Sequence, residues 1–101
     1  YVMAFNRPAC ATAFAQIATA MGVQGDNEAM LADAAIDAVR DLFKRIGIPA
    51  TLKDIGLSGD DLAHVATQSM LAARLVNNNP RTLDEASMAA ITRAAHEGTL
   101  A

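Results

Sequence analysis

Tryptophan is absent from this 101-residue chain, and its aromatic residues stop at three Phe and one Tyr. A core built around large rings is therefore excluded. Cysteine occurs once, as Cys10, so no disulfide can close within the chain, and a reducing compartment, the cytoplasm, is expected. No apolar run nears the ~20 residues of a membrane span, and no stretch shows the basic, apolar and small succession of a signal peptide. Basic residues number eight against eleven acids, giving a net charge of −3, and apart from Lys44-Arg45 they stand singly. Such a balance leaves no electrostatic footprint for nucleic acid and disfavours a nucleic-acid-binding helical domain. β-Branched residues are sparse and no alternation of strand type occurs.

What is present is alanine. Residues are 52% apolar, and much of that is the strongest helix former. An all-α domain with close, small-residue contacts and a modest core is expected, since a chain this short buries only about two-thirds of its unfolded surface. The chain opens at Tyr1 with apolar residues that read like the end of an element already under way, which suggests a fragment. That segment is expected to stop at Asn6-Arg7-Pro8, with Pro8 in the first turn of a helix from about Ala9 to Met21. Phe14, Ile17, Ala18 and Met21 give this helix its apolar face, and Gly22 ends it. Asp26 or Asn27 caps a longer helix from Glu28 to Ile46, whose stripe runs Leu31, Ala34, Ala35, Ala38, Val39, Leu42, Phe43, Ile46. Gly47 and Pro49 stop it. Thr51 to Asp54 opens a short connector turn closing at Gly56, and Ser58 to Asp61 precedes a helix from about Asp60 to Val76. Its inner stripe is Leu62, Val65, Ala66, Ser69, Ala72, Ala73 and Val76. The last helix spans about Leu83 to Glu97, with Leu83, Ala86, Ala90, Ile91 and Ala94 inward and Gly98 beyond. The pattern predicts a helical bundle of four main helices plus a short connector helix, residues 1–101 forming one helical domain.

The sharpest punctuation lies between the last two helices, at Asn77-Asn78-Asn79-Pro80-Arg81-Thr82. Pro80 removes a donor and pushes Asn79 out of the helical region. Thr82 and Glu85 stand in capping-box spacing, so Asn79, Pro80, Arg81, Thr82 and Glu85 form a structural corner. Arg81 on that corner suits a bidentate hold on carboxylate or phosphate. A bond to helix-end carbonyls or to a neighbouring domain is the preferred reading. His64 and His96, 32 positions apart, lack the spacing of helical metal ligands and are read as structural. Cys10 has no neighbouring His to activate it. Asp60-Asp61 and Asp84-Glu85 suit helix first turns, and the five Met read as packing. On residues alone there is no catalytic, cofactor-binding or metal-ligating set.

Three stretches taken in order resemble the iron-containing alcohol dehydrogenases. Val2-Met3-Ala4-Phe5-Asn6 with Pro8-Ala9 resembles that family's VMxFNxPA segment. Ala38-Val39 through Leu42, then Gly47-Ile48-Pro49 and Leu52 to Gly56, resembles its GIPxxLxxxG connector. Asn78-Asn79-Pro80-Arg81 with Thr82 resembles its NPR signature near the C-terminus. The resemblance implies a dehydroquinate-synthase-like C-terminal helical part of a two-domain enzyme. It implies iron or another divalent metal, NAD(P), a small alcohol or aldehyde substrate and a homo-oligomer for the whole enzyme. The family's metal ligands, one Asp and three His, have no match here, and neither does its glycine-rich cofactor motif. The implied role is to scaffold the metal site and wall the substrate pocket, the chain being inactive alone. Leu75, four positions before Asn79, falls where relatives approach the substrate. The alternative is a stand-alone helical protein-interaction module, motivated by the broad stripe on residues 31–46 and the apolar N-terminal pentapeptide.

Overall fold

The computed structural model describes residues 1–100, and among them every regular element is helical. Five α-helices follow in order: α1 Val2–Ala20, α2 Glu28–Arg45, α3 Leu62–Met70, α4 Ala73–Asn78 and α5 Glu85–Glu97. Two 3-10 turns, Lys53–Ile55 and Gly59–Asp61, lie between α2 and α3. The chain is all-α, in agreement with its alanine-rich composition. By contacts it divides into two compact units, Met3–Ile48 and Tyr1–Val2 with the chain from Pro49 onward.

In the first unit the expected stop at Asn6-Arg7-Pro8 does not occur. Helical backbone continues through Pro8, and the break falls at Cys10, whose φ of −129° and ψ of 20° leave the helical region. Proline removes a ladder donor and crowds the preceding turn, so it kinks a helix without having to end it. Asn6, which the sequence suggests as a terminator, is instead buried. Asn27 caps α2, its side-chain oxygen accepting from the Met30 amide at 3.0 Å. At the far end, Gly47 takes a left-handed φ of 83°. Its amide donates to Lys44, and the Ile48 amide donates to Phe43 at 2.9 Å, closing the orphan carbonyls in a Schellman pattern.

Small residues supply most of the first unit's fully covered positions. Ala18, Ala32 and Ala35 are fully buried, with Phe14, Ala15, Leu31 and Ile36 nearly so. The expected stripes hold at Phe14, Ala18, Leu31 and Ala35 but extend too far. Ile17, Met21, Leu42, Phe43 and Ile46 are exposed, while Ala32 and Ile36 join the core. At the rim the Arg7 Nε donates to Asp33 Oδ1 at 2.7 Å and Arg7 Nη2 to the Ala29 carbonyl at 3.0 Å. The Asp33 carboxylate, by hydrogen bond and charge, raises the Arg7 pKa further. Thr12 adds a hydroxyl bond to Glu28 at 3.1 Å.

In the second unit α3 packs on α5, with Ala66 and Thr92 buried. The Thr92 hydroxyl satisfies itself on the Met88 carbonyl at 2.8 Å, so its methyl can face inward at little polar cost. Of the positions expected inward on α5, Ile91 and Ala94 are part-covered and Ala86 and Ala90 exposed, while Met88, Thr92 and Ala95 join the covered face. The connector behaves as its sequence suggests. Thr51 Oγ1 accepts from the Asp54 amide at 3.2 Å, and Asp54 Oδ2 from the Thr51 amide at 3.1 Å. A Leu52 amide bond to the Ala95 carbonyl, 3.0 Å, ties the connector to α5. The Tyr1 hydroxyl donates to the Ala50 carbonyl at 2.7 Å.

The single helix expected from Asp60 to Val76 is broken. α3 ends at Met70, and Ala72 adopts φ −75° and ψ 63°, an inverse γ-turn closed by the Ala73 amide on the Leu71 carbonyl at 2.8 Å. Neither Leu71 nor Ala72 is a helix breaker. Just before the break the Ser69 hydroxyl bonds back to the Val65 carbonyl at 2.7 Å.

Candidate functional site

The corner after α4 is a compact polar turn. Asn79 is extended, φ −67° and ψ 133°, as a residue before proline must be. Its side-chain amide reaches past Pro80 to the Arg81 carbonyl at 2.6 Å. Asn79, Pro80 and Arg81 are thus held as one unit, with Pro80 and Arg81 exposed.

Thr82 and Glu85 do not form the expected capping box. Thr82 lies exposed before the helix, and Glu85 is the first residue of α5. The box forms two residues later, between Asp84 and Ser87. Asp84 Oδ1 accepts from the Ser87 amide at 2.7 Å, and Ser87 Oγ accepts from the Asp84 amide at 2.8 Å while its proton can turn to the Asp84 carboxylate. The Ser87 amide, then the Ser87 hydroxyl, stabilise the charged form and hold the Asp84 carboxyl below the usual carboxylate range. Aspartate outranks threonine as an N-cap, and a short acid brings a negative charge to the positive end of the helix. Asp84-x-x-Ser87 was legible as a cap, but the Glu at the third position of the Thr82 pattern is the more familiar signal.

Leu75 lies on α4 and is 73% exposed; Leu71, one helical turn earlier in sequence, is 72% exposed. Neither contributes to the core of its unit. His64 is exposed on α3, and the His96 Nε2 sits 3.1 Å from the Leu57 carbonyl, linking α5 to the connector. Cys10 is half-buried at the break in α1, beside an open cleft of about 480 Å³ shared with Pro8, Thr12 and Gln16. Among the described residues no three His, Cys, Asp or Glu stand close enough to share a metal ion. The described residues therefore do not by themselves fit a metal centre, and no chemical step is routed through one here.

Helical composition, the connector turn and the asparagine–proline–arginine corner define the chain's class. Residues 1–96 match the Fe-containing alcohol dehydrogenase family, C-terminal, and the chain belongs to that family. Among curated proteins it is similar to the NADPH-dependent butanol dehydrogenase of Clostridium saccharobutylicum, with 28% identity over 102 residues. That alignment covers 98% of this chain and 26% of the relative, so the chain spans about a quarter of the relative's length. No solved structure matches it.

Proposed function

We propose that the chain is the C-terminal helical portion of an iron-type, NAD(P)-dependent alcohol dehydrogenase, acting on a small alcohol or aldehyde. The observation that carries this reading is the family match over residues 1–96, joined to a relative named for butanol oxidoreduction with NADPH. In this reading residues 1–101 are a single helical domain of a larger two-domain enzyme. Its task is to scaffold the metal site and wall the substrate pocket, and it is inactive alone. Catalytic, metal and nicotinamide contacts come from the upstream part of the enzyme, and the intact protein is a cytoplasmic homo-oligomer. Asn79, Pro80 and Arg81 serve as a rigid corner, a role their hydrogen-bonded turn supports.

Leu75 is the residue of this chain assigned to the pocket wall. Its exposure on a short helix suits a side chain that meets something outside its own unit. Replacing it in the full-length enzyme by Leu75→Ala removes roughly three methyl(ene) groups. A weaker preference for longer alcohols is expected, on the order of 10-fold in kcat/KM, the scale of one to two methylenes in an apolar pocket. Equal ratios of kcat/KM across ethanol, butanol and hexanol in both proteins would remove Leu75 from the pocket.

The reading as a whole is tested by sequencing the gene upstream of the Tyr1 codon and expressing the complete frame with ferrous iron. Nicotinamide-coupled alcohol turnover is expected from the complete protein and not from the 101-residue chain. A start codon directly before Tyr1 would favour the second reading, a stand-alone interaction module, which the exposed Leu42, Phe43 and Ile46 on α2 also suit.

A further inference from the structure

One backbone torsion separates α3 from α4. Leu71 closes α3 with helical φ −73° and ψ −15°, and Ala72 keeps a helical φ of −75°. Only the Ala72 ψ, 63° in place of about −42°, leaves the helix. Its neighbours favour the opposite. No Gly or Pro stands between Ser69 and Val76, and Leu71, Ala72, Ala73, Arg74 and Leu75 are strong helix formers. Ala72 holds the N-cap position of α4 with no side-chain oxygen to offer the first-turn amides. Packing adds little: Leu71 and Leu75 are 72% and 73% exposed, and no residue of α4 is buried. The bond that closes the turn, from the Ala73 amide to the Leu71 carbonyl, would pass to the Ser69 carbonyl in a continuous helix.

The apolar period, meanwhile, runs on across the break. Leu62, Val65, Ala66, Ser69, Ala72, Ala73 and Val76 fall on one face of a single helix. Its first four members, on α3, are covered in whole or in part, yet Ala72 and Ala73 are bare. We propose that Ala72 is a hinge: turning its ψ by about 100° fuses α3 and α4 into one helix, Leu62 to Asn78, with which the bent form exchanges. The fused form returns Ala72 and Ala73 to the stripe and re-aims Leu75, so one sequence presents two different surfaces. Chain length permits the change. Adding residues 71–78 to α3 carries its end about 12 Å further. Residues 79–84 span up to about 20 Å when extended, enough to reach back to the start of α5. The hinge is a property of this backbone alone and does not depend on the dehydrogenase reading.

Two substitutions bias the hinge toward the bent form. Ala73→Pro falls at the first position of α4, removes the amide that a fused helix needs, and keeps Ala72 out of the helical region. Ala72→Asp supplies the missing cap. In the 101-residue chain carrying Cys10→Ser, His64→Cys and Asn78→Cys, spin labels on the two exposed positions read the span between them in frozen solution. A continuous helix sets that span at about 21 Å, and the turn shortens it. The parent is expected to show both spans, with about a tenth of the molecules at the longer one. Ala73→Pro should abolish the longer span, and Ala72→Asp should cut its share about 5-fold. Cooperative thermal unfolding followed by circular dichroism checks that each variant is folded, and if Ala73→Pro is not, Ala72→Asp decides alone. A parent fixed in either span, or a longer span that keeps its share in the folded variants, would overturn the inference.

Discussion

Asp84 is a single carboxylate that both starts a helix and responds to pH. Its folded pKa lies below the value of about 3.9 it has in an unfolded chain. A depressed pKa means that the cap's electrostatic contribution is fully present above the unfolded value and is lost as pH falls through the folded one. Below about pH 4, therefore, the amide of Ser87 progressively loses its charged acceptor. Asparagine caps almost as well as aspartate without titrating. Asp84→Asn is expected to keep the helical circular dichroism of the chain at pH 7 and to flatten the acid side of its stability curve. Urea midpoints measured from pH 7 down to pH 3 check this; an acid limb as steep in the variant as in the parent would deny Asp84 the role. Leu75 shows the opposite case, an apolar side chain left 73% exposed on α4.

Among whole elements, the helix ends were easier to read than the helix interiors. Asn27, Gly47, Gly56 and Gly98 act where the sequence suggests, because capping and left-handed turns are decided by one residue and its immediate neighbours. Gly98 shows how local this is. Its φ is +84°, and a Cβ there would also stand 3.1 Å from the Thr51 methyl. Gly98→Ala is expected to destabilise the chain by about 1–2 kcal/mol, the scale of forcing an L-residue into left-handed backbone, read as a lower urea midpoint at unchanged slope. An unaltered midpoint would contradict it. The breaks at Cys10 and Leu71–Ala72 were misread for a different reason. Pro8 looks like a terminator, yet the helix runs through it and breaks at Cys10, while the α3–α4 break falls at Leu71–Ala72 with no Gly or Pro to mark it. At the corner, two overlapping cap patterns compete within three residues, and the stronger N-cap residue, Asp84, takes the helix.

For the molecule as a whole, composition foretold the class of fold and the smallness of the core. Alanine supplies most of the buried apolar positions, and the large apolar side chains are divided between a short core and bare surface. The apolar period could not say which half of α2 is covered, because periodicity reports a face and not its partner. The candidate site was legible as a landmark, the corner around Asn79, and not as chemistry: among the described residues no three His, Cys, Asp or Glu stand close enough to share a metal ion. Membership of the Fe-containing alcohol dehydrogenase family gives the absent chemistry a direction. The bond from the Tyr1 hydroxyl to the Ala50 carbonyl, 49 positions away, has a consequence for the order of folding. It makes Met3–Ile48 an excursion whose two ends meet at a clasp. On a ribosome that excursion emerges whole before Ala50 does, so it can condense first. Closing the clasp afterwards then confines a compact body instead of a loose loop of nearly fifty residues, sparing most of the chain entropy that such a closure would otherwise cost.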